Sequence, residues 1–182
     1  EISSTDPQVK ATALQKLTFL QMMGYDMSFA SFATIEVMSN LRFARKRVGY
    51  LAASQGFNQN TEVILLTTNL LKKELRGAVG GGMQGVYEAG LAVNCLSNIV
   101  TEDLARELLP DLTSLLSHPQ PYIRKKAVLC MFKLFVKYPQ GLRLTFSRIQ
   151  QCLEDPNPSV VSCAVNVITE LSDKNPKNYL PL

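Results

Sequence analysis

The chain of 182 residues contains no tryptophan, only one histidine and no long apolar run. Because His118 is the only histidine, the chain lacks the residues for a histidine-rich zinc site or for acid–base catalysis by a histidine pair. The four cysteines lie in apolar helical contexts without Cys-x-x-Cys spacing, which predicts reduced, buried thiols. No run approaches the ~18 apolar residues that span a bilayer. We therefore expect a non-enzymatic protein with no cofactor and no metal.

Charge gives only a weak indication of the partner. Charged residues make up 19% of the chain and the net charge is +4, too small a bias to predict nucleic-acid binding.

His118 lies beside Pro119 in a predicted turn, where we expect a solvated side chain. The chain does not begin with methionine, and we expect it to be an excised piece of something longer.

The positive evidence is an internal repeat. A small or β-branched residue opens an apolar helical stripe five times, at intervals of 35, 42, 37 and 37 residues. A period in this range is typical of stacked helix pairs. The five positions are Ala13, Val48, Gly90, Ala127 and Ala164.

Helix signals and proline breaks divide the chain between these stripes. Asp6-Pro7 reads as an N-cap with proline in the first turn, and Thr101 as a second cap. We predict an all-α, right-handed α-solenoid of HEAT or armadillo type with about ten helices. Its units are approximately 1–40, 41–76, 84–117, 119–154 and 156–182.

The string Gly80-x-Gly82-x-x-Gly85 matches a dinucleotide-binding fingerprint, but its context is wrong. That fingerprint follows a strand, whereas a lysine-rich helix end precedes it here. We predict a flexible glycine-rich insertion between two helices, which accounts for the 42-residue interval.

We call the two helices of each predicted pair the first-position and the second-position helix. Two clusters of basic residues lie at the start of first-position helices. They are explained either by a solvated face with ion pairs inside the array or by attraction to acidic lipid headgroups or an acidic partner. The candidate contacts of the second kind are Arg45, Lys46, Arg47, Arg124, Lys125 and Lys126.

Two second-position helices carry more apolar residues than one core can bury. In the first, apolar side chains from Met27 to Met38 cover almost the whole circumference; in the second, Val63 to Leu66 are consecutive. Since consecutive helical residues point about 100° apart, such helices are either buried on both sides or expose a docking patch.

Several strings place the chain near a known family. Gln21-Met-Met-Gly-Tyr-Asp26, Lys46-Arg-Val-Gly-Tyr-Leu51, Leu66-Thr-Thr-Asn69 and Pro121-Tyr-Ile-Arg-Lys-Lys-Ala-Val128 resemble motifs of the adaptin large chains. The segments 51–55, 153–158, 164–168 and 175–182 are most similar to the delta branch of that family.

The resemblance implies a subunit of a heterotetrameric vesicle-coat adaptor with a beta-type large chain, a medium chain and a small chain. Such a complex sorts cargo from Golgi or endosomal membranes to lysosomes or vacuoles, as a cytoplasmic, peripheral membrane protein. It also implies docking of an ARF-family GTPase, at positions that match Phe32, Ile35 and Leu66. The alternative is another solenoid scaffold, such as a nuclear transport carrier, although the armadillo importins use tryptophan ladders that this chain lacks.

Overall fold

The computed structural model describes residues 1–58 and 61–174, except for the side chain of Glu62. Within these residues it contains nine α-helices, three short 3-10 segments and no strand. The helices are α1 (Pro7–Met22), α2 (Ser31–Met38), α3 (Phe43–Gly56), α4 (Thr67–Gly80), α5 (Gly82–Ile99), α6 (Glu102–Leu115), α7 (Pro121–Lys137), α8 (Pro139–Gln151) and α9 (Pro158–Lys174). The 3-10 segments are Ser28–Ala30, Glu62–Leu66 and Cys152–Glu154.

The helix starts follow local chemistry. The Asp6 carboxylate accepts a hydrogen bond from the Gln8 backbone N–H at 2.7 Å, and the Thr101 hydroxyl accepts one from Leu104 at 3.3 Å. Each satisfies an amide that the first turn of a helix leaves without a backbone partner. Both predicted caps are confirmed.

The chain divides into two compact units, Glu1–Val100 and a second that begins at Thr101. In the first unit α3 packs between α1 and α5, while α2 packs on α3 and α4 packs on α5. In the second unit α7 contacts α6, α8 and α9. The five shorter units read from the sequence stay a prediction.

The repeating stripe forms the centre of these contacts. Ala13 and Gly90 are buried, Val48 is half-buried, and Ala127 and Ala164 are completely buried. The sequence period therefore marks the buried side of each first-position helix.

The predicted flexible insertion at the glycines is wrong. The helix α4 continues to Gly80 and α5 begins at Gly82, so Gly81 alone separates them. A Cβ added to Gly85 would lie 2.3 Å from the Gly77 carbonyl oxygen, and Gly82 adopts a left-handed φ of 59°. The glycines make a tight helical hairpin possible, since a side chain would block the approach or strain the turn.

Gly49 has a similar role where α2 crosses α3. A Cβ at Gly49 would lie 2.5 Å from the Met38 backbone nitrogen and 2.8 Å from the Val37 carbonyl carbon. Real Cβ atoms do not come that close to backbone atoms. The glycine in the string Lys46–Leu51 is therefore required by helix packing.

Candidate protein-docking surface

The first basic cluster contains a buried lysine that is already paired. Lys46 on α3 is only 5% exposed, and its ammonium lies 2.8 Å from the Glu74 carboxylate and 3.0 Å from that of Glu88. The two acids come from α4 and α5, so the three charges connect three helices. Lys46 was a candidate membrane or partner contact; the structure instead shows an ion pair inside the array.

Electrostatics keep Lys46 and Glu88 ionised. Burial alone lowers the pKa of Lys46, but the hydrogen bonds and charges of Glu74 and Glu88 outweigh it and raise that pKa above its ordinary value. Burial also disfavours the charged form of Glu88 and so raises its pKa, but hydrogen bonds from Gln84 and Lys46 outweigh burial and leave that pKa below its ordinary value. Each charge is stabilised by its partners despite the cost of leaving water.

Tyr50 lies one turn after Lys46 and is 1% exposed. Its hydroxyl has no hydrogen-bond partner among the described residues, which is uncommon for a buried polar atom. Burial, with the charge of Glu74, raises the pKa of the phenol far above its ordinary range. The hydroxyl therefore stays protonated.

In the second basic cluster, Arg124 is likewise held in an internal ion pair instead of being free to contact a membrane or partner. Arg124 binds the Asp155 carboxylate through two nitrogens, at 2.7 and 2.8 Å, and donates to the carbonyls of His118 and Pro119. The hydrogen bond from Arg124 holds the pKa of Asp155 below its ordinary value. This bidentate ion pair connects the turn before α7 to the turn before α9.

The prediction of a solvated His118 is wrong. The side chain is 7% exposed, and its Nδ1 accepts a hydrogen bond from the Gln120 backbone at 3.0 Å. Together with the bidentate ion pair of Arg124, this bond fixes the turn that precedes α7. The histidine thus serves the local structure.

The remaining basic candidates lie at or near the surface. Arg47 is exposed, and Arg45 is half-buried and donates to the Gln8 side chain at 2.9 Å. Lys125 and Lys126 are half-buried, and the Lys126 ammonium lies 5.1 Å from the centre of the Tyr122 ring. Burial, with the neighbouring Lys125, lowers the pKa of Lys126.

Apolar side chains are exposed on both of the suspect second-position elements. Phe29 and Phe32 are 67% and 62% exposed, and Leu65 and Leu66 are 62% and 53% exposed. Ile35 is half-buried. Val37, Met38 and Ile64 are buried, so each element has one core face and one outward apolar face. Of the two alternatives, burial on both sides is therefore wrong, and the exposed patch is observed.

A groove of about 660 Å³ lies beside this patch. Phe29 and Phe32 line one side, and Val63 of the 3-10 segment lines the other. Leu66 lies at the end of the same segment and is not part of the lining. The segment was predicted to be α-helical; as a 3-10 turn it puts residues three apart on one side, which aligns Val63 with Leu66.

Three of the four cysteines are buried as expected, and the fourth is half-buried. Among the described residues the four cysteines form no disulfide; Cys95, Cys130 and Cys152 are buried and Cys163 is half-buried. Across the described part of the chain, no three histidine, cysteine or acidic side chains are grouped as metal ligands would be. Nor is any helix there long and apolar enough to cross a bilayer.

The armadillo likeness is visible in comparisons with solved structures. The chain superposes on a designed armadillo repeat protein in complex with the peptide (KR)4 with a TM-score of 0.61, at 18% identity and with 92% of this chain and 77% of that chain covered. At that identity the likeness concerns the fold alone. The predicted all-α fold of armadillo-like helix pairs is confirmed.

Closer matches come from adaptor complexes. A homology model of the full-length AP-3 complex in an intermediate open conformation matches with a TM-score of 0.84 and 45% identity, covering 97% of this chain and 30% of that chain. The "AP-3 complex subunit delta-1" of Bos taurus is 54% identical over all 182 residues, whereas the "AP-1 complex subunit gamma-1" of Mycosarcoma maydis is 32% identical over 91% of the chain. The resemblance to the delta branch is confirmed.

The matched relatives are much longer than this chain, which spans 15% and 18% of their respective lengths. The family described as "Adaptin N terminal region" matches residues 1–182. The sequence motifs, the helix pairs and this match agree, and the chain belongs to the adaptin family.

Proposed function

We propose that the chain is a scaffold of a vesicle-coat adaptor complex and holds partners by surface contacts, without catalysis. The relatives named as subunits of the AP-3 complex support this role. The partners would be a beta-type large chain, a medium chain, a small chain and an ARF-family GTPase. Because the chain belongs to the adaptin family, we prefer this role to the alternative of a nuclear transport carrier.

The proposed cellular role is cargo sorting from Golgi or endosomal membranes to the lysosome or vacuole. The chain would act at the cytoplasmic surface of those membranes as a peripheral protein. This part of the proposal rests on the family and on the delta-type relatives.

The observation that carries a docking function is the exposed apolar patch of the first unit. Isolated exposed apolar residues are ordinary, but a group of them beside a groove marks an interaction surface. Phe32 and Leu66 would supply the apolar contacts of the GTPase site, and the half-buried Ile35 would support them. Large, rigid side chains such as Phe32 are typical anchors of an interface.

The test replaces Leu66 with aspartate and measures binding to an ARF-family GTPase loaded with a non-hydrolysable GTP analogue. A contact residue should cost about 2 kcal/mol or more, or roughly a thirtyfold loss of affinity. The matched control is Leu144→Asp, because Leu144 is 72% exposed on α8, outside the proposed site. Equal binding by both variants, with helicity unchanged, would refute the GTPase site.

A weaker electrostatic contact is proposed for the basic residues that stay accessible. Arg45, Arg47, Lys125 and Lys126 would attract acidic lipid headgroups or an acidic partner, at about 1 kcal/mol for each residue near a membrane. Lys46 and Arg124 no longer belong to this set, since both are held in internal ion pairs. Arg47→Glu should lower flotation with anionic vesicles, and an unchanged result would leave Arg47 as a solvated residue.

A further inference from the structure

A second group of exposed apolar side chains lies where α3 and α5 begin. Leu41 is 82% exposed, Val79 79% and Met83 56%. Between them the Phe43 and Tyr87 rings meet edge to face, with centroids 6.5 Å apart. We call these five residues the apolar tip.

The tip is continuous because of the way its helices meet. Leu41 is two residues before Phe43, whose ring contacts Tyr87 on α5. Met83 lies one helical turn before Tyr87, on the same side of α5. Val79 is in the last turn of α4, which the close glycine hairpin holds against the first turn of α5.

The electric charge around the tip is positive. Within the described chain, neither α3 nor α5 has a side-chain N-cap or an acidic residue in its first turn, so the positive ends of both helix dipoles are uncompensated. The exposed Arg42 has no ion-pair partner among the residues described. Glu88, on α5, is already engaged by Lys46 and Gln84.

These features together favour a bilayer over a protein as the occupant. Protein hot spots are large side chains seated in well-packed pockets, whereas Leu41, before α3, and Val79, near the end of α4, have about four-fifths of their surface free. A projecting apolar side chain needs a surface that deforms around it, and a lipid bilayer does so. Tyrosine is suited to the interface because it has an apolar ring and a polar end. The positive charge selects anionic lipids.

We propose that the apolar tip inserts into the headgroup region of an anionic bilayer, with Leu41, Val79 and Met83 reaching the upper part of the acyl chains, next to the headgroups. The proposal rests on the membrane part of the proposed function and extends it, because it adds a site of insertion to an electrostatic attraction. Such insertion also fixes which edge of the first unit faces the lipid.

The absence of tryptophan makes insertion directly measurable, since a tryptophan introduced at one position is the sole emitter of its kind. The 182-residue chain carrying Leu41→Trp is mixed with vesicles of phosphatidylcholine, with or without phosphatidylserine, in the absence of any GTPase. We expect a blue shift of emission, and quenching by lipids brominated on the acyl chain, with the anionic vesicles only. The matched control, Leu144→Trp, should show neither effect.

A second measurement does not depend on the reporter. The pair of substitutions Leu41→Ser and Met83→Ser should lower the partition coefficient onto anionic vesicles about tenfold, which corresponds to about 1.4 kcal/mol. Leu144→Ser should leave it unchanged, and circular dichroism checks that every variant is folded.

The outcomes separate this proposal from the functions on which it rests. Binding to vesicles without a shift at residue 41, and without loss in the serine variants, would overturn insertion and leave surface attraction standing. No binding to anionic vesicles would overturn both. Neither result bears on the GTPase site, which is tested without lipid.

Discussion

Replacing Lys46 with methionine should destabilise the first unit strongly. Methionine keeps most of the apolar stem and removes the ammonium that lies 2.8 Å from Glu74 and 3.0 Å from Glu88. At an effective dielectric constant of about 20, each contact contributes roughly 5–6 kcal/mol of Coulomb energy, and most of this offsets the cost of taking the ions out of water. The net loss on removing one partner of a buried pair is about 3–5 kcal/mol.

The variant should lose this much because two carboxylates remain with no counter-ion. They would repel each other, and one would take up a proton, which limits the loss. With a urea dependence of about 2 kcal/mol per molar, a loss of about 4 kcal/mol lowers the unfolding midpoint by about 2 M. Urea denaturation followed by far-ultraviolet circular dichroism measures this shift.

The chain offers a matched control for the same chemistry at the surface. Lys16 and Glu1 are also paired, at 2.9 Å, but their side chains are 63% and 60% exposed. Lys16→Met should therefore leave the unfolding midpoint almost unchanged, because an exposed ion pair contributes little to stability. The reasoning fails if the two methionine variants shift the midpoint by the same amount.

Further predictions concern the acid range and the glycines. Because Arg124 holds the pKa of Asp155 below its ordinary value of 3.8, the stability from this pair is present above that value and is lost as the pH falls through the lower, folded value. Asp155→Asn should lower the free energy of unfolding by about 3 kcal/mol at neutral pH and make that free energy fall less steeply in acid. Urea titrations of the second unit at several pH values measure both effects. An unchanged pH dependence in acid would contradict this prediction. Gly49→Ala should destabilise by about 1–3 kcal/mol through overlap with the Met38 backbone, whereas Gly77→Ala, with nothing within 4 Å, should stabilise α4 by about 0.5–1 kcal/mol. Thermal melts of both variants check the opposite signs: no loss of stability in Gly49→Ala would show that the crossing has room for a methyl group, and a loss in Gly77→Ala would contradict the prediction for α4.

The helices and their inner faces could be read from the sequence because both depend on local rules. The caps at Asp6 and Thr101 act within three residues, and the stripe through Ala127 and Ala164 repeats at intervals of 35 to 42 residues. The glycine hairpin could not be read in this way. A run of glycine lowers helix propensity, yet here it permits a close contact with the neighbouring helix, and the tertiary packing outweighs the local preference.

In the candidate site, too, features set by local sequence could be predicted, whereas features set by tertiary packing could not. An excess of apolar residues indicated that some side chains of the second-position elements point outward, and Phe32 and Leu66 do. Nothing local distinguished the buried Lys46 from the exposed Arg47 beside it, because the partner Glu74 is 28 residues away. Long-range ion pairs of this kind are set by how helices cross, and the crossing is fixed only in three dimensions. Tip residues such as Leu41 gave no periodic signal, since they lie in or beside turns.

The buried cysteines give each unit its own probe of local opening. Cys95 is completely buried in the first unit, and burial raises its pKa to about 12, so almost no reactive thiolate exists while the unit is closed. Cys130 and Cys152 are buried in the second unit. Alkylation in native conditions must therefore wait for each unit to open, and its rate at each cysteine, read by mass spectrometry, measures the opening free energy of that unit separately. If the two units open independently, the cysteines of the first unit and those of the second will be labelled at different rates.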